Sequence, residues 1–453
     1  MYRFQGLDSL MTAKGITDSK AFEAYLKAVF SKRESQNENL AGFEWDTPQL
    51  DFTYEMLQAE RMIEVMAHYV DLNSPALPAG HSTELTTLKG SIPRMKYAVV
   101  RGENDYRKQL IALNEVKSVA NFRNVSESTA VSAFLSRQLF FSIDEIMASF
   151  KNSLNYQVGQ MKSAGKLTLT DDNNPRGSIR ATFTAQVPEA NHIKKSWFTK
   201  TSDGTYTEVA NSNPVNDIRD FVRELRWKAN GYDRITLEMS ERFIYKLLAH
   251  TEVLKAIGYV TTGLGLRYTK ANDDNALAVA KGMSLDAQKA ALKTLLEVDE
   301  LITSKTVCGV EKLNTTTRKY ERTTVDAFEN DVILVRPMGN IGVIKNVVPL
   351  RPDGQAIVGG VYGGRGLIEY VYNRDTREQR WNGELTALAV PTRPMDMYYF
   401  HGVSAADTAT YTAVNSPTGN PSTSGYYEKQ SDGSYVLSTD TTVQSGKTYY
   451  TKN

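Results

Sequence analysis

The stretch from Ser126 to Gly165 constrains this chain more than any other. Its apolar residues fall at Val131, Phe134, Leu135, Leu139, Ile143, Ile146, Met147, Phe150, Leu154, Val158 and Met161. Nearly every step is three or four residues, which draws one stripe along a helix. Ser136, Arg137, Asp144, Lys151, Asn155 and Lys162 fill the other side. Ser126 or Ser128 can cap the start, and Gly165 offers the left-handed stop that ends many helices. At about 1.5 Å per residue the element spans roughly 50–60 Å. Phe140, Phe141 and Tyr156 interrupt any strict coiled-coil seam, and no heptads continue past it. A rod of this length predicts a spine that carries the rest of an elongated or flat fold.

Around this spine lies enough chain for a large core. At 453 residues, two or three subdomains are expected. Lys and Arg number 53 against 52 Asp and Glu, so a uniformly basic nucleic-acid binder is excluded. Cys308 is the sole cysteine, which rules out an intrachain disulfide and fits a reducing compartment. Arg3, Asp8, Lys14, Asp18 and Lys20 leave no room for a signal-peptide core near the start. No apolar run approaches the roughly 18 residues of a membrane span. A soluble intracellular product is the expectation.

Before the spine, residues 1–40 hold two short helical patterns, the second opening at Thr17-Asp18-Ser19. Phe52 to Val70 reads as a third helix, with Met56, Leu57, Met62, Ile63, Val65 and Met66 as gap-filling core. A turn-rich stretch begins at Asn73. Thr86 to Leu88 and Arg94 to Arg101 then alternate as strands do, and Gly102-Glu103-Asn104-Asp105 is expected to turn the chain back. The charged, extended segment so formed reads either as a surface hairpin or as an arm onto another subunit.

After Gly165, Leu167–Thr170 and Ile179–Gln186 frame a β-hairpin around an Asx-rich turn. An amphipathic helix follows from Asn213-Pro214 to Lys228, then a strand from Arg234 to Met239. Ser240 is placed to cap a helix through Leu248. Ala287–Leu296 is helical again, 304–313 reads as paired strands, and 331–345 is a buried strand with a glycine turn. Leu385–Pro391 and Met397–Phe400 are closing strands. Helices and strands in this order predict an α+β or α/β layer with a central sheet. Beyond Gly402 the composition turns linker-like, and the chain then repeats itself. Trp197-Phe198-Thr199-Lys200-Thr201-Ser202-Asp203-Gly204-Thr205-Tyr206 is echoed by Tyr426-Tyr427-Glu428-Lys429-Gln430-Ser431-Asp432-Gly433-Ser434-Tyr435. Asp-Gly in that setting is a hairpin turn, so two small β units are expected.

Motifs that carry chemistry are missing from this reading. Gly159–Lys166 fails the P-loop in spacing and in its final hydroxyl, and Ser445-Gly446-Lys447-Thr448 lacks the leading glycine. Gly359-Gly360-Val361-Tyr362-Gly363-Gly364-Arg365-Gly366 opens no helix and reads as a β turn. His68, His81, His192, His250 and His401 form no metal-spaced pair, and Asp171-Asp172 belongs to a turn. His250 ends a helix, where a cation is favourable. Cys308 sits in a strand-like apolar context and is read as a buried hydrophobe. No catalytic, cofactor-binding or metal-binding residue is assigned.

The order of elements resembles the major capsid proteins of tailed bacteriophages, which share the Hong Kong 97-type fold, and within them the capsid protein E-like family. The resemblance covers about Phe52 to Val403. It rests on Tyr156-Gln157-Val158-Gly159 leading into the Leu167–Thr170 strand, and on Asn216-Asp217-Ile218 followed by Ile235–Ser240, Phe243 and Leu247. Asn330–Pro337 with Gly339 and Gly342 completes it. It implies an α+β division into an N-terminal arm with helices (1–72), an extended β loop (73–125), the spine helix and peripheral hairpin (126–186), an inserted β unit (187–212), an axial and peripheral core (213–402), and a linker with a C-terminal β module (403–453). It further implies a shell subunit, not an enzyme, that assembles with copies of itself into the hexamers and pentamers of an icosahedral head. Portal, scaffold or decoration proteins are expected partners, packaged DNA meets the inner face without sequence preference, and no membrane or cofactor is involved. Assembly in a bacterial cytoplasm and residence in the virion capsid follow from the same resemblance. An encapsulin-like cellular shell protein is the alternative, and another virion structural or adhesion protein is a further one.

Overall fold

The computed structural model describes residues 40, 42–59, 85–122, 127–201, 204–227, 232–262, 270–314, 316–317, 320–350, 357–373, 378–405, 411–413, 426–429, 435–438, 440–444 and 447–452. The expected helices of 1–39, the turn at 73–80 and the linker residues 406–410 and 414–425 lie outside them. The chain is mixed α+β and divides into two compact units, each threaded by several segments.

The first unit holds residues 1–192, 224–243 and 298–399. Its spine helix runs Glu127–Ala164, within a residue of the expected bounds at each end. Ile143, Ile146, Met147, Phe150, Leu154, Val158 and Met161 are buried along it, as their spacing requires. Gly165 closes it at φ +64, a conformation in which a side chain would also press on Val187. The stripe lies on a sheet ordered Phe43–Trp45, Gly342–Val347, Glu378–Pro391, Gly366–Asn373, Ile357–Val361, with Arg94–Arg101 also paired to Glu378–Pro391. Contact is close because Gly383 of the long strand faces the helix: a Cβ there would stand 2.3 Å from Ile146 and 2.8 Å from Phe150. Gln157 pins the helix to the same strand. Its carboxamide donates to the Ala387 carbonyl at 3.4 Å and accepts from the Ala389 N–H at 3.2 Å. Each large side chain buried in this seam contributes about 1.5–3 kcal/mol.

A second sheet segment of this unit places Ile235–Ser240 between Glu300–Ser304, which is parallel to it, and Val332–Pro337, which is antiparallel. Both inner strands are buried along their whole length. Ser240 caps the helix after it, accepting from the Phe243 N–H at 3.1 Å, as expected. The hairpin Lys166–Thr168 with Thr182–Thr184 forms where the sequence placed it. Within 304–313, where paired strands are expected, Val307–Leu313 is one strand, and its partner is Tyr320–Asp326 further along the chain.

Two expectations before the spine fail. Phe52–Val70 reads as a helix, yet its described part, Thr53–Ala59, is a strand paired with Leu85–Ser91. Met, Leu, Gln and Ala favour helix locally, but Tyr54 sits opposite Gly90 and covers it, and pairing overrides propensity. Conversely, Glu103–Phe122 is a helix of 20 residues where the extended loop was expected to continue. The acidic Glu103 and Asp105 are its first turn, not a reverse turn: the Gly102 N–H donates to the Asp105 carboxylate at 3.3 Å, and Arg107 reaches back to Glu103.

The second unit holds residues 193–223, 244–297 and 400–453. Trp197 anchors one part. It stacks on Phe400 at 5.8 Å, donates its indole N–H to Asp217 at 2.8 Å, and leaves no room for a side chain at Gly402. Thr251–Thr262, Lys270–Gly282 and Leu285–Leu295 are helices; the first two are absent from the sequence reading. Gly258 lets those two approach until a Cβ would stand 2.1 Å from the Ala276 carbonyl. A glycine at this position is what the helix packing needs.

The echoed segments adopt matching hairpins. Phe198 pairs Glu208 and Lys200 pairs Tyr206; Tyr427 pairs Leu437 and Lys429 pairs Tyr435. One step further out, the Val209 N–H donates to Trp197 O at 2.9 Å and the Ser438 N–H to Tyr426 O at 2.7 Å. Asp203 of the first Asp-Gly turn and the whole of the second lie outside the described residues. The second hairpin belongs to a four-stranded sheet, Tyr411–Ala413, Tyr449–Lys452, Tyr427–Lys429, Tyr435–Leu437.

Candidate assembly surface

Residue by residue, the chemically capable side chains are held in structural roles. Cys308 is buried, donates its thiol to Asn152 O at 3.2 Å, and is pushed up to about 11 by burial. Asp171 is held by Arg180 and Asp172 by Lys312 at 3.0 Å. Gly159 lies inside the spine, against the Ala327 backbone. Gly359–Gly366 turns one strand into the next, and Arg365 lies over Trp45 at 5.4 Å, donating to Tyr362 O at 3.2 Å. Lys447 pairs with Glu428 at 2.6 Å and Asp440 at 2.8 Å. His192 stacks on Tyr399 at 4.9 Å, and His68 and His81 lie outside the described residues. Among the described residues no group of three potential metal ligands converges.

His250 departs from the expected cationic helix end. It is buried, its Nδ1 accepts from the Glu252 N–H at 3.3 Å, and its Nε2 lies 3.0 Å from the Ser212 hydroxyl. Burial lowers its pKa, with Glu208 and Glu252 opposing. The neutral ring thus caps the helix that follows it.

What remains is surface. Strands Thr53–Ala59 and Leu85–Ser91 form a two-stranded ribbon whose strands pair with each other and with no further strand among the described residues. Its exposed face carries the Glu55–Lys89 ion pair at 2.9 Å. A ribbon of two strands is marginal in water unless something packs on it. Beyond its root, Arg94–Arg101 joins the sheet, with Arg94 and Lys96 sharing Glu384 at 3.2 and 3.4 Å. Beside the root, Leu50 is 79% exposed and Leu350 84%, and Phe52 and Val348 are exposed to a lesser degree. The Val348 N–H donates to Gln49 O at 2.9 Å, which brings these two chain segments together. Large apolar residues gathered in the open mark a contact surface. Helix propensity around Met56 masks the ribbon in the sequence, and the Tyr54–Gly90 pairing appears only in the fold.

No family model matches the chain, and no curated protein matches it. Among solved structures, it is similar to a phage-related protein from Bordetella bronchiseptica RB50, at 11% identity over 87% of this chain and 96% of that one, TM-score 0.37. The capsid of cyanophage P-SCSP1u is similar at 12% identity over 81% and 87%, TM-score 0.36. A virus-like particle from Pyrococcus furiosus is similar at 7% identity over 84% and 99%, TM-score 0.31.

Proposed function

We propose that this chain is the major shell subunit of a tailed double-stranded DNA bacteriophage. Copies pack side by side into hexamers and pentamers that close an icosahedral head around the genome. The observation that carries the reading is the ribbon 53–59/85–91 rising from a sheet braced by the spine helix. Among the described residues its outer edges pair with no further strand and the leucines at its root stay exposed; on this reading a neighbouring copy covers both. Such a contact is heterologous, ribbon on one copy and receiving surface on the next, and heterologous contacts close into rings when the rotation permits. The order of elements in the sequence supports the same reading. With 53 basic and 52 acidic residues, dense association proceeds without strong self-repulsion.

On this reading the subunit resides in the virion capsid after assembly in the host cytoplasm. Portal, scaffold or decoration proteins would join it, and DNA would meet the inner face through salt-sensitive phosphate contacts. No catalytic role, cofactor or metal is assigned. An encapsulin-like cellular shell is the second reading; it requires the same ribbon and a protein cargo in place of DNA.

Electron microscopy of the purified protein, alone and co-expressed with its neighbouring genes, tests the proposal. Closed shells or six- and five-membered rings are expected. Joining Glu55 to Lys89 through Asn-Gly keeps the root pairing and removes the rest of the ribbon. That variant is expected to fold and to lose ring formation. A protein that stays monomeric in every condition overturns the proposal, and shells filled with a cargo enzyme favour the second reading.

A further inference from the structure

One wall of the first unit contains an open strand edge beside a cleft. Glu300–Ser304 pairs with Ile235–Ser240 on one side, and no described strand occupies its other side. Unpaired strand edges are templates for another strand, and proteins that leave them open commonly use them for binding. Alongside runs a cleft of about 350 Å³, walled by the spine helix and by the consecutive residues 302–306. A stretch of consecutive strand residues lines a cleft only when both side-chain directions and the backbone reach it.

The cleft is rich in spare donors. Lys162 is buried and carries three N–H groups, of which one is used among the described residues, on Glu238 Oε1 at 2.9 Å. Asn155, Thr303 and Thr306 also line the cleft, and their side chains make no hydrogen bond among the described residues. Glu238 is also shared with Arg336, 3.4 Å away, so one buried carboxylate faces two buried cations. Glu300, partly exposed, adds a more distant negative charge and is held by Thr236 at 3.1 Å. Burial pulls the Lys162 pKa down, so its ammonium gains from a further anion.

We infer that this cleft receives an extended segment of a second copy of this chain, which pairs with the open edge of Glu300–Ser304 and directs a carboxylate side chain to Lys162. Charge complementarity selects an acidic visitor, and the strand edge selects an extended one over a free anion. Alternate residues of an added strand point to the Glu238 face of the sheet, where Lys162 waits. The inference rests on the shell reading for its choice of a second copy.

The test uses assembled particles of the full chain with the photocrosslinker p-benzoylphenylalanine at position 303. Crosslinks between copies, mapping by mass spectrometry to a peptide that contains Asp or Glu, are expected in particles and not in dilute subunits. The near-isosteric Asn155→Asp places a competing carboxylate in the cleft. It is expected to lower the crosslink yield at least about fivefold, the effect of roughly 1 kcal/mol, with an unchanged melting temperature, while Asn155→Gln retains the yield. Particles that form but give only intramolecular crosslinks, or crosslinks to a different protein, overturn the inference and leave the shell reading standing. An unchanged yield in Asn155→Asp overturns the carboxylate. Absence of particles in every condition overturns both readings.

Discussion

Burial decides the state of single side chains more strongly than their chemical type. Cys308 is 3% exposed with its thiol pushed up to about 11, so the reactive thiolate is scarce at neutral pH. Ellman's reagent at pH 8 is expected to find no accessible thiol in the native protein and one after denaturation. At His250 the folded state favours the neutral ring, so its pKa lies below the unfolded value of about 6.5. The unfolded chain then binds more protons as pH falls through that value. The stabilisation is complete above about pH 6.5 and is lost as pH drops towards the folded pKa. The urea midpoint is expected to fall between pH 7.5 and pH 5.5, and His250→Gln is expected to flatten that dependence. The sequence made Cys308 legible, because its neighbours are apolar. It hid His250, because Ser212 and Glu252 meet the ring only after folding.

Elements were legible where one periodicity dominated. The spine was read to within one residue of each end because its stripe repeats along the whole length and Gly165 ends it. Leu154→Ala opens a cavity in the seam against the sheet and is expected to cost about 2–5 kcal/mol. Gly165→Ala forces a side chain into the left-handed region at φ +64 and is expected to cost about 1–2 kcal/mol. Urea denaturation of each variant checks both values. Thr53–Ala59 was misread because its residues suit a helix until Leu85–Ser91 lies beside them. Glu103–Phe122 was missed because an acidic first turn and a reverse turn use the same residue types. Thr251–Thr262 and Lys270–Gly282 are absent from the sequence reading, and the close approach at Gly258 that packs them together exists only in the fold.

For the whole molecule, the sequence by itself determined a layered mixture of helices and strands, the spine, the hairpin echo and the order of elements on which the shell reading first rests. Each is a local matter of periodicity, turn chemistry and charge balance, and local rules act on residues near one another in the chain. Only the tertiary structure decided that residues 53–59 leave their helical preference to build a ribbon. It also decided that Lys162, Glu238 and Arg336 share one buried site, and that no described strand pairs with the outer edge of Glu300–Ser304 beside them. Those features join residues up to nearly two hundred positions apart, and no pattern along the chain specifies such meetings. They arise when packing chooses which of several locally acceptable structures buries the most apolar surface while satisfying its polar groups.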